Sequence, residues 1–132
     1  DVHNAAVSSL TASLIDLGFL EGDLNDLIQE DAFKPWYMHG TSHWLGLDVH
    51  DVGPYGGGGE SITLVPGMVL TIEPGLYVAA DDQDAPAEYR GMGIRIEDDI
   101  LIGEDGPINL SESTPKTIAE IESWMRQSQA TS

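Results

Sequence analysis

The chain has 132 residues and a mass of 14.2 kDa, the size of one ordinary domain. With 41% apolar residues it can remove roughly two-thirds of its unfolded surface from water, which excludes wholesale disorder. Its 23 Asp and Glu against 5 Lys and Arg, a formal net charge of -18, exclude nucleic-acid binding through phosphates and docking on an anionic membrane, and favour a cation or a cationic partner.

The first predicted element is a helix from Asp1 to Leu17, where Val2, Ala6, Leu10, Leu14 and Leu17 recur at helical spacing and Gly18 is the stop. A second, shorter helix is expected over Asp23 to Gln29, with Asp23 as N-cap and Leu24, Leu27 and Ile28 turned inward. From Phe33 onward the punctuation is Gly and Pro, and strands are expected at Met68 to Glu73, Leu76 to Val78, Gly93 to Glu97 and Asp98 to Ile102. Gly56 to Gly59 reads as a hairpin tip, and Ala80 to Ala87 as a solvated loop. Asp98 and Asp99 read as a solvated turn or strand edge. Thr114 and Pro115 mark the start of a closing helix, Pro115 to Arg126, that packs on the sheet through Ile118, Ile121, Trp124 and Met125, with a frayed tail beyond. Trp36, Trp44 and Trp124 read as packing residues rather than a cofactor box, although Trp44, inside the histidine cluster, could wall a pocket. The order helix, helix, strands, helix predicts an α+β domain with a curved antiparallel sheet covered by helices.

No apolar run approaches the roughly 20 residues of a membrane span, and no basic segment followed by an apolar one opens the chain. The absence of Cys removes disulfides, thiolate metal sites and cysteine nucleophiles, and suits a reducing compartment; a cytoplasmic location is expected.

Three of the four histidines, His39, His43 and His50, fall in the stretch HGTSHWLGLDVHD. The spacing of His39 and His43 matches a zinc-protease helix motif, but Gly40 stands where that motif needs Glu, and the glycines argue against a helix. Satisfied buried histidines are a plain alternative. Glu73 in VLTIEPG and Glu97 in GIRIEDD each follow an Ile in an apolar segment, where a carboxylate is costly unless a cation or dense hydrogen bonding accompanies it. The plain alternatives are an ion pair of Glu97 with Arg95 on the same strand face, and a strand end at Glu73 that dips into solvent before Pro74. One imidazole with carboxylates is a ligand set suited to manganese, iron, cobalt or zinc with positions left open.

The strings YMHGTSHWLGLDVHDVG, LVPGMVLTIEPGLYV and YRGMGIRIEDDILI, in that order, resemble the C-terminal part of the bacterial Xaa-Pro aminopeptidases, the aminopeptidase P group of the pita-bread metallopeptidases. The resemblance covers nearly the whole chain. It implies that residues 1–132 are the C-terminal half of a pita-bread catalytic domain, a fragment whose upstream half is absent. It implies His43 and Glu73 as metal ligands and Glu97 as a carboxylate bridging two divalent ions, manganese above all. His39 and His50 would line the pocket for a proline-containing peptide, Tyr77 would lie beside it, and Arg95 would orient the bridging carboxylate. Two such ions acidify water and polarise the scissile carbonyl, and Glu73 would shuttle the proton to the leaving amine.

The same family takes two further aspartate ligands from an upstream hairpin. Asp1, Asp16, Asp23, Asp26 and Asp31 lie in or beside helices, so this chain alone should hold at most one ion, weakly, and be inactive. An exposed half-core should make it a homo-oligomer or bind it to the missing half. The competing readings are an Xaa-Pro dipeptidase and a catalytically silent binding module of the same fold.

Overall fold

The computed structural model describes residues 1–56 and 61–129, with side chains as far as residue 127. Helix α1 spans Val2–Asp16, and α2 spans Leu24–Gln29. Five strands follow: β1 Val69–Ile72, β2 Gly75–Tyr77, β3 Gly93–Arg95, β4 Asp98–Ile102 and β5 Pro107–Asn109, with helix α3 at Ile118–Gln129. Among the described residues all strand pairing is antiparallel, in a three-stranded sheet ordered β1-β4-β5 and a two-stranded sheet β2-β3. The expected glycine hairpin tip falls, beyond Gly56, on residues outside those described, and so does the end of the expected frayed tail.

The helix starts and stops follow local chemistry. Asp23 Oδ1 accepts the backbone N–H groups of Asn25 at 2.9 Å and Asp26 at 3.3 Å, satisfying donors that the first turn of α2 leaves free. After α1, Gly18 takes a φ of +78° that a side chain would resist, and Phe19 N–H returns to Leu14 O at 2.8 Å. The buried face of α1 is Val7, Thr11 and Leu14, one step round from the expected stripe, and Leu17 is exposed. Thr11 can sit there because its hydroxyl donates to Val7 O at 2.7 Å.

That face meets Phe33, Trp36, Tyr37, Val78 and Ala85, so the main core lies between α1 and the chain around β2. The segment expected as a solvated loop contributes to it. Ala85 is buried, a short 3-10 turn forms at Ala87–Tyr89, and Asp82 accepts the Trp36 indole N–H at 2.8 Å.

Two further expectations need correction. Helix α3 opens with Thr117 and Glu120 in a reciprocal capping box, not with Thr114 and Pro115: Thr117 N–H donates to Glu120 Oε2 at 3.0 Å, and Glu120 N–H donates to Thr117 Oγ1 at 3.3 Å. Ile118, Ile121, Trp124 and Met125 are exposed, so among the described residues this helix does not bury its apolar stripe on the sheet, and Trp124, 65% exposed, is not a packing residue. Strand β5 escaped sequence reading because only three residues follow the Gly106 turn, yet it pairs Ile108 with Leu101. Asp98, expected at a solvated edge, is half-buried and accepts from Ser111 Oγ at 2.6 Å and Lys116 Nζ at 3.0 Å. Burial works against its charge, but Ser111, Lys116 and Asn109 outweigh it and hold the carboxyl below its ordinary range. Among the described residues no helix is long and apolar enough to cross a membrane.

Candidate metal centre

Two registers build the site. Residues 41–45 run antiparallel beside β1: Glu73 N–H donates to Thr41 O at 2.8 Å, Thr71 N–H to His43 O at 3.0 Å, and Trp44 bridges Leu70. His43 therefore stands opposite Thr71, and its side chain leaves on the face shared by Thr71 and Glu73. On the other side of β1, Ile72 pairs with Asp98 and, past Pro74, Gly75 pairs with Arg95. Each chain takes the same number of steps between those pairs, so Glu73 lies directly opposite Glu97. Ile96 N–H closes the gap by donating to Pro74 O at 3.3 Å. Pro74, with no N–H of its own, interrupts the ladder without shifting it.

The result is one sheet face carrying His43, Glu73, Glu97 and Arg95. A nitrogen of His43 and one oxygen from each glutamate lie within 4.8 Å of one another. His43 Nδ1 lies 2.9 Å from Trp44 O, which can only accept, so Nδ1 is assigned the proton and Nε2 presents a lone pair. That lone pair is 3.3 Å from Glu73 Oε1. Two acceptors so close need a proton or a cation between them. Glu73 is not at a solvated strand end: its side chain is only 14% exposed. Glu97 opposite it is exposed. Arg95 does not pair with Glu97 as the plain alternative expected; its Nε lies 3.6 Å from Glu73 Oε2. Tyr77, then the Glu73 and Glu97 carboxylates, push the Arg95 guanidinium still further toward its charged form. An imidazole oriented by a carbonyl beside two converging carboxylates is a donor set that fits a divalent ion.

The other expected residues flank this centre. His39 Nδ1 lies 2.7 Å from Gly40 O and its Nε2 lies 2.9 Å from Tyr77 Oη, so the Tyr77 hydroxyl donates to His39. Tyr77 thus stands between His39 and Arg95. His50 is exposed and packs edge-on against His43, with ring centroids 4.4 Å apart. Trp44 lies beside the site, half-buried, with its indole N–H on Pro54 O at 2.9 Å. Sequence reasoning passed over Thr71, whose hydroxyl touches both His43 and Glu73. The available signal was its place two residues before Glu73, on the same strand face.

Residues 1–104 match metallopeptidase family M24. The chain belongs to that family. Among its relatives, the Xaa-Pro aminopeptidase of Escherichia coli is 54% identical over 95% of this chain and 28% of that protein. The human Xaa-Pro aminopeptidase 3 is 38% identical over 92% of this chain and 23% of the relative. This M24 chain therefore spans about a quarter of the length of the curated relatives it matches. Of solved structures, an aminopeptidase from Pseudomonas aeruginosa superposes with a TM-score of 0.92 at 48% identity, covering 97% of this chain and 29% of that one. Aminopeptidase P from E. coli, solved with the inhibitor Pro-Leu, gives a TM-score of 0.86 at 53% identity over 94% of this chain and 28% of that one. The α+β arrangement of this M24 chain is that of the pita-bread aminopeptidases, as its sequence motifs implied.

Proposed function

We propose that residues 1–132 carry the C-terminal share of the metal centre of an Xaa-Pro aminopeptidase, a metal-dependent exopeptidase that releases an N-terminal residue preceding proline. The observation that carries the reading is the convergence of His43, Glu73 and Glu97 on donor atoms within 4.8 Å, with two carboxylates opposed in register. In this reading His43, Glu73 and Glu97 would hold two divalent ions, manganese above all, with Glu97 shared between them. Two further carboxylates come from outside residues 1–132. When bound, the ions supply Lewis-acid polarisation of the scissile carbonyl and a water acidified toward neutrality. Arg95 keeps the Glu73 carboxylate directed at the centre, and Glu73 carries a proton to the leaving amine. His39, oriented by Tyr77, and His50, set against His43, contact the peptide around its proline.

Relatives named as Xaa-Pro aminopeptidases favour that specificity over a dipeptidase. Cleavage of an Arg-Pro-Pro peptide but not of an Arg-Pro dipeptide, by the full-length protein, would bear this out. For residues 1–132 alone, calorimetry should find at most one weakly held manganese ion and no turnover. His43→Ala, Glu73→Ala and Glu97→Ala should each weaken that binding; manganese held equally well by all three would end the proposal.

The edge of the fold belongs to the same reading. Among the described residues β3 pairs only with β2, and Met92, Ile94 and Ile96 on and beside it are exposed. We place the rest of the longer protein against this edge; in its absence the chain should self-associate, which light scattering across a dilution series would register. A cytoplasmic site of action suits a chain without Cys.

A further inference from the structure

Thr71 is 1% exposed and lies in β1 between Leu70 and Ile72. A valine would fill the same space and suit a buried strand as well. The hydroxyl therefore needs its own explanation, because burying it is unfavourable unless it is bonded. Among the described residues, both hydrogen bonds of the hydroxyl go to the candidate centre. His43 N–H donates to Thr71 Oγ1 at 3.1 Å, and Thr71 Oγ1 donates to Glu73 Oε1 at 3.2 Å. The direction is forced: an ionised carboxylate can only accept and a backbone N–H can only donate. One hydroxyl thus fixes the backbone of one proposed ligand and the carboxylate of another, which the two strands alone would leave free to rotate.

We infer that Thr71 is a positioning residue for the metal centre: its hydroxyl sets the distance and orientation of Glu73 relative to His43. The inference rests on the reading of that centre as a metal site. Thr41 supports it from the neighbouring segment. Thr41 is 2% exposed, its carbonyl accepts Glu73 N–H at 2.8 Å, and its hydroxyl is bonded to His3 Nδ1 at 2.8 Å and to Tyr37. The strand that delivers Glu73 is thereby tied to α1. Water has no access to replace the Thr71 hydroxyl, so its removal leaves His43 N–H unpaired and the Glu73 side chain unheld.

The test compares Thr71→Val and Thr71→Ser in the full-length protein. Manganese alone is titrated, and backbone hydrogen exchange is followed at His43 in the metal-free protein. The Val variant should bind manganese about 10- to 100-fold more weakly, the scale of lost support around a metal ligand. The Ser variant, which keeps the hydroxyl, should bind within a few-fold of the parent. His43 N–H should exchange faster in the Val variant and not in the Ser variant. Unchanged affinity, or unchanged exchange at His43, in the Val variant would overturn the inference. A parent protein that binds no manganese would instead overturn the metal reading, while the exchange data would still decide whether Thr71 holds His43. If the Val variant does not fold, Thr71→Ala supports the same comparison.

Discussion

Glu73 and Glu97 face each other in a single antiparallel register, the position at which like charges oppose sheet formation most directly. Replacing one of them should therefore act in opposite directions with and without a cation. The Glu97→Gln chain, free of metal, should be more stable than the parent by about 0.2–1 kcal/mol, the scale of a cross-strand pair. Added manganese should raise the melting temperature of the parent by mass action and leave the variant nearly unmoved. Thermal melts with and without the ion measure both effects; equal responses would mean that Glu97 takes no part in binding.

Gly75 leaves room for Tyr77. A Cβ at Gly75 would lie 2.7 Å from the Tyr77 hydroxyl and 3.0 Å from the Ile94 carbonyl. Gly75→Ala should therefore drive the Tyr77 hydroxyl off His39 Nε2 and loosen the β2-β3 pairing. The imidazole resonances of His39 should move toward those of a Tyr77→Phe chain. Resonances that stay at their parent positions would show that Tyr77 does not need this clearance.

Asp82 anchors the segment between β2 and β3. The Trp36 indole N–H lowers its carboxyl pKa most, partial burial opposes this, and the backbone N–H groups of Asp84 and Ala85 with Arg90 add to the lowering. A carboxyl whose folded value lies below the ordinary 3.8 stabilises the fold above that value, and the contribution fades as the pH falls through the folded value. Asp82→Asn should thus be less stable than the parent at neutral pH, with the difference shrinking below pH 3.8. Urea denaturation at both pH values reads it. A gap that persists undiminished in acid would assign the effect to packing rather than to charge.

Leu14 is fully buried at the centre of the α1 face. Leu14→Ala should lower the unfolding free energy by about 2–5 kcal/mol, a large share of the stability of a small domain. Chemical denaturation gives the value directly; a loss under 1 kcal/mol would mean that Leu10 and Leu76 collapse into the space.

The signals legible in the sequence were local or were carried by motifs. The stop at Gly18, the Asp23 cap and the positions of β1 to β4 follow from residue types within a turn or a strand of each other, where backbone groups are satisfied by near neighbours. The Thr117 and Glu120 capping box was equally local and was overlooked in favour of Thr114 and Pro115. The motif resemblance picked out His43, Glu73 and Glu97 as a set. The tertiary structure alone decided that Glu73 stands opposite Glu97, that Arg95 turns to Glu73 and that the Thr71 hydroxyl meets the His43 backbone. These relations depend on how segments more than twenty residues apart align, and alignment is set by backbone ladders that no short window contains. Periodicity placed α3 in the same way, yet it could not tell that the apolar stripe faces solvent: a helical pattern states that a face is apolar, and only the surrounding packing states what, if anything, covers it.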